Sequence, residues 1–90
     1  MRLEQTRIFR SAYKKLPDAK KRVVNNAIRD ILENPLIGTA KKQDLLGVYV
    51  HKFPVDKQQY LLAYTFDPET LKLLLLGVHE NFYRDLKRKL

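Results

Sequence analysis

The feature that most constrains the fold of this 90-residue chain is a change of apolar periodicity at Asn34-Pro35. Before this dipeptide, apolar side chains recur every three or four residues, which is the spacing of one face of an α-helix. The pattern predicts one helix over residues 7–16 and a second over residues 17–33. Pro17 separates them, and Pro35 ends the second because a residue that precedes proline is disfavoured in the helical region. This part of the chain is therefore predicted to be a helical hairpin.

After Pro35 the pattern becomes that of β-strands. Residues 47–53, "GVYVHKF", alternate between two faces, whereas residues 60–66, "YLLAYTF", and 71–78, "LKLLLLGV", are apolar on both. The connections "VDKQQ" and "DPET" have the composition of turns, so the three strands are predicted to form an antiparallel meander. The segment "RLEQT", residues 2–6, could add a brief fourth strand.

These elements predict an α+β fold, in which the N-terminal helical hairpin packs on one face of a curved, three- to four-stranded antiparallel sheet. Residues 1–90 are predicted to form a single domain, since this length suffices for one modest core. The end of the chain is predicted to be a short tail or helix. If it is helical, an apolar stripe with i, i+4, i+8 spacing consists of Phe82, Leu86 and Leu90.

Alternation along residues 47–53 also suggests a binding surface. If Val48 and Val50 face the helices, the other face of the sheet is uncovered and carries Tyr49, His51 and Phe53. Exposed aromatic side chains and a histidine on a sheet are typical of platforms for single-stranded nucleic acid.

The composition excludes several classes of site. The chain has no cysteine, which removes disulfides, thiolate chemistry and zinc–cysteine sites, and with only two histidines we expect no metal. Its three scattered glycines form no phosphate-binding loop, which disfavours a nucleotide-dependent enzyme. The longest apolar run is far shorter than the ~20 residues of a membrane span, and the N-terminal segment lacks the apolar region of a secretory signal. We expect a cytoplasmic protein that does not associate with membranes.

The charge of the chain is strongly positive. Eighteen Lys and Arg residues against ten Asp and Glu give a net charge of +8. Residues 1–42 hold eleven of the basic side chains, and four more lie within residues 84–90. Such a charge favours binding to a phosphate backbone, an acidic protein or an anionic membrane.

The C-terminal segment "LLLLGVHENFYRDLKRKL" places His79 and Tyr83 four residues apart, just before a basic end. Together with "ILENPLIGTAKKQDLLGVYVHKF" and "YLLAYTF", it resembles the RelE/ParE superfamily of bacterial toxins from type II toxin–antitoxin pairs, over nearly the whole chain. The resemblance implies a compact α+β fold and neutralisation by a cognate, acidic antitoxin that wraps the toxin. It implies one of two activities. RelE-like members cut mRNA in the ribosomal A site, and ParE-like members act on DNA gyrase without cutting RNA.

Cleavage of RNA through its 2′-hydroxyl needs a base, an acid and cations, and no cofactor. Histidine suits the first two roles because its unperturbed pKa is about 6.5. His79 matches a catalytic histidine of cleaving relatives, and Tyr83 matches the aromatic residue that follows it; packing and backbone capping are the alternative roles. On the strand after "LLG", relatives carry a histidine or lysines. The match does not separate His51 from Lys52, which face opposite sides of a strand, and we favour His51.

Asp67 coincides with an acidic residue that some cleaving relatives use, although Asp at the start of "DPET" is also ordinary turn chemistry. In the middle strand, this chain has Leu61 where many RelE-like enzymes have an arginine. A histidine-using subgroup shares that leucine, and ParE-like toxins need no arginine there. We therefore predict a ribosome-dependent mRNA endonuclease, with a ParE-like gyrase inhibitor as the alternative. The predicted RNA-binding cations are Lys41, Lys42, Lys52, Lys57, Arg84, Lys87 and Arg88.

Overall fold

The computed structural model describes the backbone of residues 1–89 and the side chains of residues 1–88. Leu90, the third member of the predicted apolar stripe, lies outside this range. Two short 3-10 turns, Pro35–Ile37 and Gln43–Leu45, flank the second strand. In chain order, the elements are β1 Arg2–Gln5, α1 Arg7–Lys14, α2 Asp18–Glu33, β2 Thr39–Ala40, β3 Tyr49–Val55, β4 Gln58–Phe66, β5 Thr70–Val78 and α3 Phe82–Lys89.

The strands form one sheet in the order β1-β5-β4-β3-β2. The α+β prediction is confirmed, but the sheet has five strands and is mixed, because β1 runs parallel to β5 while all other pairs are antiparallel. β2 contains two residues, too few for any periodic pattern to indicate it. Among the residues that the structure describes, none of the helices combines the length and the hydropathy of a transmembrane segment.

Both faces of the sheet are covered. The first, here called the hairpin face, packs against Phe9 of α1 and Ile31 of α2; its strand residues are Phe53, Val55, Tyr60, Leu62, Tyr64, Leu71, Leu73 and Leu76. The second, here called the α3 face, packs against Phe82 and Leu86; its residues include Leu45, Val48, Val50, Leu61, Ala63, Leu74 and Leu75.

The predicted orientation of the strand that contains His51, which is β3 in the structure, is wrong. Tyr49 and Phe53 lie on the hairpin face, Val48 and Val50 lie on the α3 face, and α3 covers the face that was expected to be open. Alternation shows which residues share a face, but it is symmetrical and does not say which face a helix covers. The aromatic rings of β3 instead join those of β4, where Tyr49 stacks on Tyr64 with ring centroids 5.8 Å apart.

The leucine run of β5 contains a β-bulge. Ala63 of β4 pairs with Leu75 and Tyr64 pairs with Leu73, so Leu74 is an extra residue. Leu73 and Leu76 therefore face the hairpin while Leu74 and Leu75 both face α3. A bulge shifts the alternation by one residue, and everything after it changes side.

Thr6 joins the bulge to the start of α1. Its hydroxyl accepts a hydrogen bond from the Phe9 N–H at 3.0 Å, which caps the helix, and donates one to the carbonyl of the bulged Leu74 at 2.7 Å. A bulge leaves backbone groups without partners in the ladder. One threonine thus satisfies two backbone groups, one at the end of a helix and one in a strand.

Candidate functional site

Two side chains with different chemistry meet on the ring of Tyr83, at the N-terminal end of α3. The ammonium nitrogen of Lys41 lies 4.8 Å from the centroid of the Tyr83 ring, within the range of a cation–π contact. The imidazole of His79 meets the same ring edge-on, with centroids 6.0 Å apart. His79 is exposed, and Tyr83 and Lys41 are partly buried. The cluster therefore presents an imidazole, a phenol and an ammonium group near solvent.

The chain positions His79 and Tyr83 through a tight connection from β5 to α3. The Phe82 N–H donates to the His79 carbonyl at 3.2 Å, and Asn81 adopts a left-handed conformation with φ 66°. Phe82 then packs on the strand at Gly77, where an added Cβ would lie 3.6 Å from the ring. Because Phe82 and Leu86 are buried, the adjacent Tyr83 is held at the rim of the α3 face.

His51 and His79 do not share a site. His51 pairs with Leu62 on the hairpin face, where its ring stacks on Phe53 at 5.7 Å. Burial lowers the pKa of His51 below its ordinary value of 6.5, and the Asp30 carboxylate on α2 opposes this effect. The prediction that His51 faces the same site as His79 is therefore wrong, because the residue that shares the α3 face is its neighbour.

That neighbour is Lys52, which is exposed and belongs to the α3 face by alternation. It pairs with Leu61, and Leu61 pairs with Gly77, so the three residues form a row across the sheet. Two strand spacings separate the backbones of Lys52 and Gly77, about 10 Å in total. A lysine side chain can span much of that distance toward the Tyr83 cluster.

Asp67 lies at the opposite end of β5 from His79. Its carboxylate accepts hydrogen bonds from the N–H groups of Glu69 and Thr70, both at 2.8 Å, which fixes the β4–β5 turn. The nine residues of β5 put about 30 Å between the turn and His79. Asp67 is a turn residue here, and the structure separates it from the other predicted catalytic residues.

A match to a protein-family model identifies the family of the chain. A family model described as a ParE-like toxin of the type II bacterial toxin–antitoxin system matches residues 3–87. The chain belongs to this family. The predicted membership of the RelE/ParE superfamily is thereby confirmed, whereas the kinship with its histidine-using members stays a prediction.

Solved structures similar to this ParE-like toxin share its fold at low sequence identity. The free E. coli RelE toxin, in a mutant form, is 17% identical with a TM-score of 0.73, covering 98% of this chain and 90% of that one. The toxin in the E. coli RelBE toxin–antitoxin complex is 19% identical with a TM-score of 0.68, covering 86% and 94%. A YoeB/ParE toxin from Agrobacterium tumefaciens is 16% identical with a TM-score of 0.67, covering 88% and 99%. No match was found among curated protein sequences.

The remaining predicted cations of the toxin are exposed. Arg84, Lys87 and Arg88 lie on the solvent side of α3, and Lys42 follows Lys41. Lys57 lies in the β3–β4 turn, at the same end of the sheet as His79, since Tyr60 pairs with Val78. Among the side chains that the structure describes, one ion pair falls within 4 Å, between Arg2 and Glu4 at 3.5 Å. The cations around the Tyr83 cluster are thus available to an external anion.

Two features of the site were not expected from the sequence. The cation–π contact joins Lys41 to a residue 42 positions later, beyond the reach of any local pattern. The second feature is the buried Tyr64, which holds the segment that leads to Lys41. The sequence does contain a signal for this contact, because a tyrosine buried in an apolar strand needs a hydrogen-bond partner for its hydroxyl. Within residues 1–88, no group of three His, Asp or Glu side chains is arranged to hold a metal ion.

Proposed function

We propose that this toxin is a ribosome-dependent mRNA endonuclease whose reacting groups are His79, Tyr83 and Lys41. The observation that supports the proposal is the contact of both an imidazole and an ammonium group with one phenol ring. These are the group types that proton transfer and phosphate stabilisation require. His51 takes no part, since it lies on the hairpin face.

The proposed reaction uses one histidine. His79 accepts the proton of the 2′-hydroxyl as the 2′-oxygen bonds to phosphorus, and a 2′,3′-cyclic phosphate forms as the bond to the 5′-oxygen breaks. Tyr83 gives its phenol proton to the leaving 5′-oxygen and recovers a proton from the His79 imidazolium beside it. Lys41 and Lys52 neutralise the charge that develops on the phosphate oxygens. The exposed Lys42, Lys57, Arg84, Lys87 and Arg88 contact the flanking RNA backbone.

The second candidate is a ParE-like inhibitor that binds DNA gyrase without cutting RNA. The observation that favours it is Leu61, which is fully buried beneath α3 at the point where many RelE-like enzymes have an arginine. The matched family is also described as ParE-like. An inhibitor that acts by binding needs no cation at that position.

The two histidines provide the test. The toxin is expressed briefly without antitoxin, mRNA 5′ ends are mapped, and the supercoiling activity of gyrase is assayed in parallel. We expect codon-phased cuts that disappear in His79→Ala and persist in His51→Ala, which removes the same group from the opposite face. Intact mRNA together with gyrase-dependent DNA breaks would instead establish the second candidate.

The partner of this toxin is proposed to be a small acidic antitoxin, and both proteins are proposed to act in the cytoplasm, where ribosomes are found. The positive charge of the toxin supports this partner, because complementary charge accelerates association. A net-acidic protein is expected from the neighbouring reading frame. It should co-elute with the toxin in gel filtration, and separate elution of the two purified proteins would contradict the pairing.

A further inference from the structure

Tyr64 makes two hydrogen bonds to the backbone between α2 and β2. Its hydroxyl donates to the Pro35 carbonyl at 2.6 Å and accepts from the Gly38 N–H at 3.0 Å. The residue is fully buried in the middle of the sheet, in β4. Burial raises the pKa of the Tyr64 hydroxyl above its ordinary value of 10.0. The tyrosine thus ties a central strand to the segment that forms the sheet edge.

The fit at this contact is close. A Cβ at residue 38 would lie 2.6 Å from the Tyr64 hydroxyl oxygen and 3.1 Å from a backbone atom of Val50. Only a glycine lets the backbone approach to this distance without displacing the hydroxyl. On its other side, the Tyr64 ring stacks on Tyr49, which pairs with Ala40 of β2. The edge segment is therefore held in two ways: by hydrogen bonds to the Tyr64 hydroxyl, and by pairing with Tyr49, on which the Tyr64 ring stacks.

The segment held in this way carries Lys41. β2 is two residues long and lies at the edge of the sheet, so its own ladder restrains it weakly. Immediately after it, the Lys41 N–H donates to the Val48 carbonyl at 2.9 Å, which puts Lys41 on the α3 face by alternation. Its ammonium group then reaches the Tyr83 ring. Tyr64 lies on the hairpin face, whereas the side chain that it positions, Lys41, lies on the α3 face.

We propose that Tyr64 is a positioning residue of the toxin: its hydroxyl fixes residues 35–41 so that the Lys41 ammonium stands over the Tyr83 ring. The use of Lys41 on an RNA phosphate rests on the proposed function, whereas the positioning itself does not. Removing the hydroxyl frees the segment and moves the cation away from the ring, although Tyr64 and Tyr83 lie on opposite faces of the sheet.

The first test needs no RNA. Protons near the face of an aromatic ring have NMR resonances shifted upfield, so the side-chain methylene signals of Lys41 report its distance from Tyr83. In Tyr64→Phe, which keeps the ring and removes only the hydroxyl, these signals are expected to move toward the values of a free lysine. The control is Tyr13→Phe, which removes the exposed hydrogen bond from Tyr13 to Asn25 and should leave them unchanged. Unchanged Lys41 signals in folded Tyr64→Phe would overturn the proposal.

A second variant covers the case in which Tyr64→Phe does not fold. Gly38→Ala keeps the hydroxyl and pushes against it, and it should shift the same Lys41 signals. Unshifted signals in folded Gly38→Ala would likewise refute the positioning role.

The second test measures affinity for a short single-stranded RNA as salt is varied, at a temperature where every variant is folded. Each phosphate contact contributes about 0.7 to the slope of log affinity against log salt. Lys41→Gln is expected to lower the slope by about this amount. Tyr64→Phe should lower it similarly, with no further loss in the double variant. Full additivity of the two losses would contradict the coupling. If the NMR shifts appear but neither variant changes the slope, the positioning role stands and the proposed RNA site fails.

Discussion

At Gly38 the backbone passes so close to Tyr64 that one additional methyl group decides whether the edge segment fits. Gly77 offers a direct contrast. A Cβ there would meet Phe82 at 3.6 Å, an ordinary van der Waals separation, against 2.6 Å at Gly38. Neither glycine needs a left-handed conformation, since the chain's glycine with positive φ is Gly47. The difference between Gly38 and Gly77 is thus one of space alone.

We predict that Gly38→Ala lowers the free energy of unfolding by about 1–3 kcal/mol, the usual cost of forcing extra volume into a packed site. Gly77→Ala adds the same methyl group and should change stability by less than about 0.5 kcal/mol. Urea denaturation of both variants measures the difference. Equal losses at the two positions would show that the contact with Tyr64 is not the cause.

His51 makes stability depend on pH. Its folded-state pKa is lowered by burial, so the unfolded chain binds more protons as the pH falls through about 6.5, and stability decreases there. Above that pH the residue is neutral in both states and has no such effect. His51→Gln should flatten the fall in unfolding free energy between pH 7.5 and 5.5. Asp30→Asn removes the carboxylate that opposes the effect of burial and should steepen it. A shallower profile in Asp30→Asn would be incompatible with this account.

At the scale of elements, apolar periodicity predicted both helices of the hairpin and the three long strands to within two residues at each end, because each is long enough to repeat its pattern. It could not predict β2, which has two residues, or the bulge in β5, where four identical leucines hide the shift in alternation. It also could not say that α3 covers the face opposite the hairpin, which depends on contacts between Phe82 and residues distant in sequence. For that reason the sequence does not predict the face on which His51 lies. The proximity of His79 to Tyr83 could be predicted, because the two residues are only four positions apart.

Thr6 gives the element-scale prediction. Thr6→Ala removes the cap of α1 and leaves the carbonyl of Leu74 without its partner. We expect a loss of about 2 kcal/mol in unfolding free energy, since a lost cap costs about 1 kcal/mol and an unsatisfied buried group at least as much. Thr6→Ser retains the hydroxyl and should recover most of it in the same denaturation experiment. A serine variant as unstable as the alanine variant would assign the effect to the methyl group.

At the scale of the whole molecule, the positive charge divides between two opposite surfaces. Arg84, Lys87 and Arg88 surround the Tyr83 cluster on α3, whereas the outer side of the helical hairpin carries another exposed basic set, which includes Lys14, Arg22 and Arg29. The total of +8 does not distinguish these surfaces, and only the fold shows which one adjoins His79.

Replacing three cations by glutamine on each surface in turn tests this division. The variant at positions 84, 87 and 88 and the variant at positions 14, 22 and 29 both lower the net charge by three. We expect the first to reduce the salt slope of single-stranded RNA binding by up to about 2 and the second to leave it nearly unchanged. Equal effects would mean that the toxin attracts RNA through its overall charge, without a defined surface.

The extra residue at Leu74 has a consequence for comparing this toxin with its relatives. A chain one leucine shorter in this strand, aligned from its beginning without a gap, would match His79 to the residue equivalent to the exposed Glu80, in the connection between β5 and α3. In such an alignment, neither an identical nor a different residue opposite His79 would show what occupies the same place in the fold. Residues counted backward from the buried Phe82, instead of forward from the beginning of the strand, occupy the same positions in space whatever the length of the leucine run.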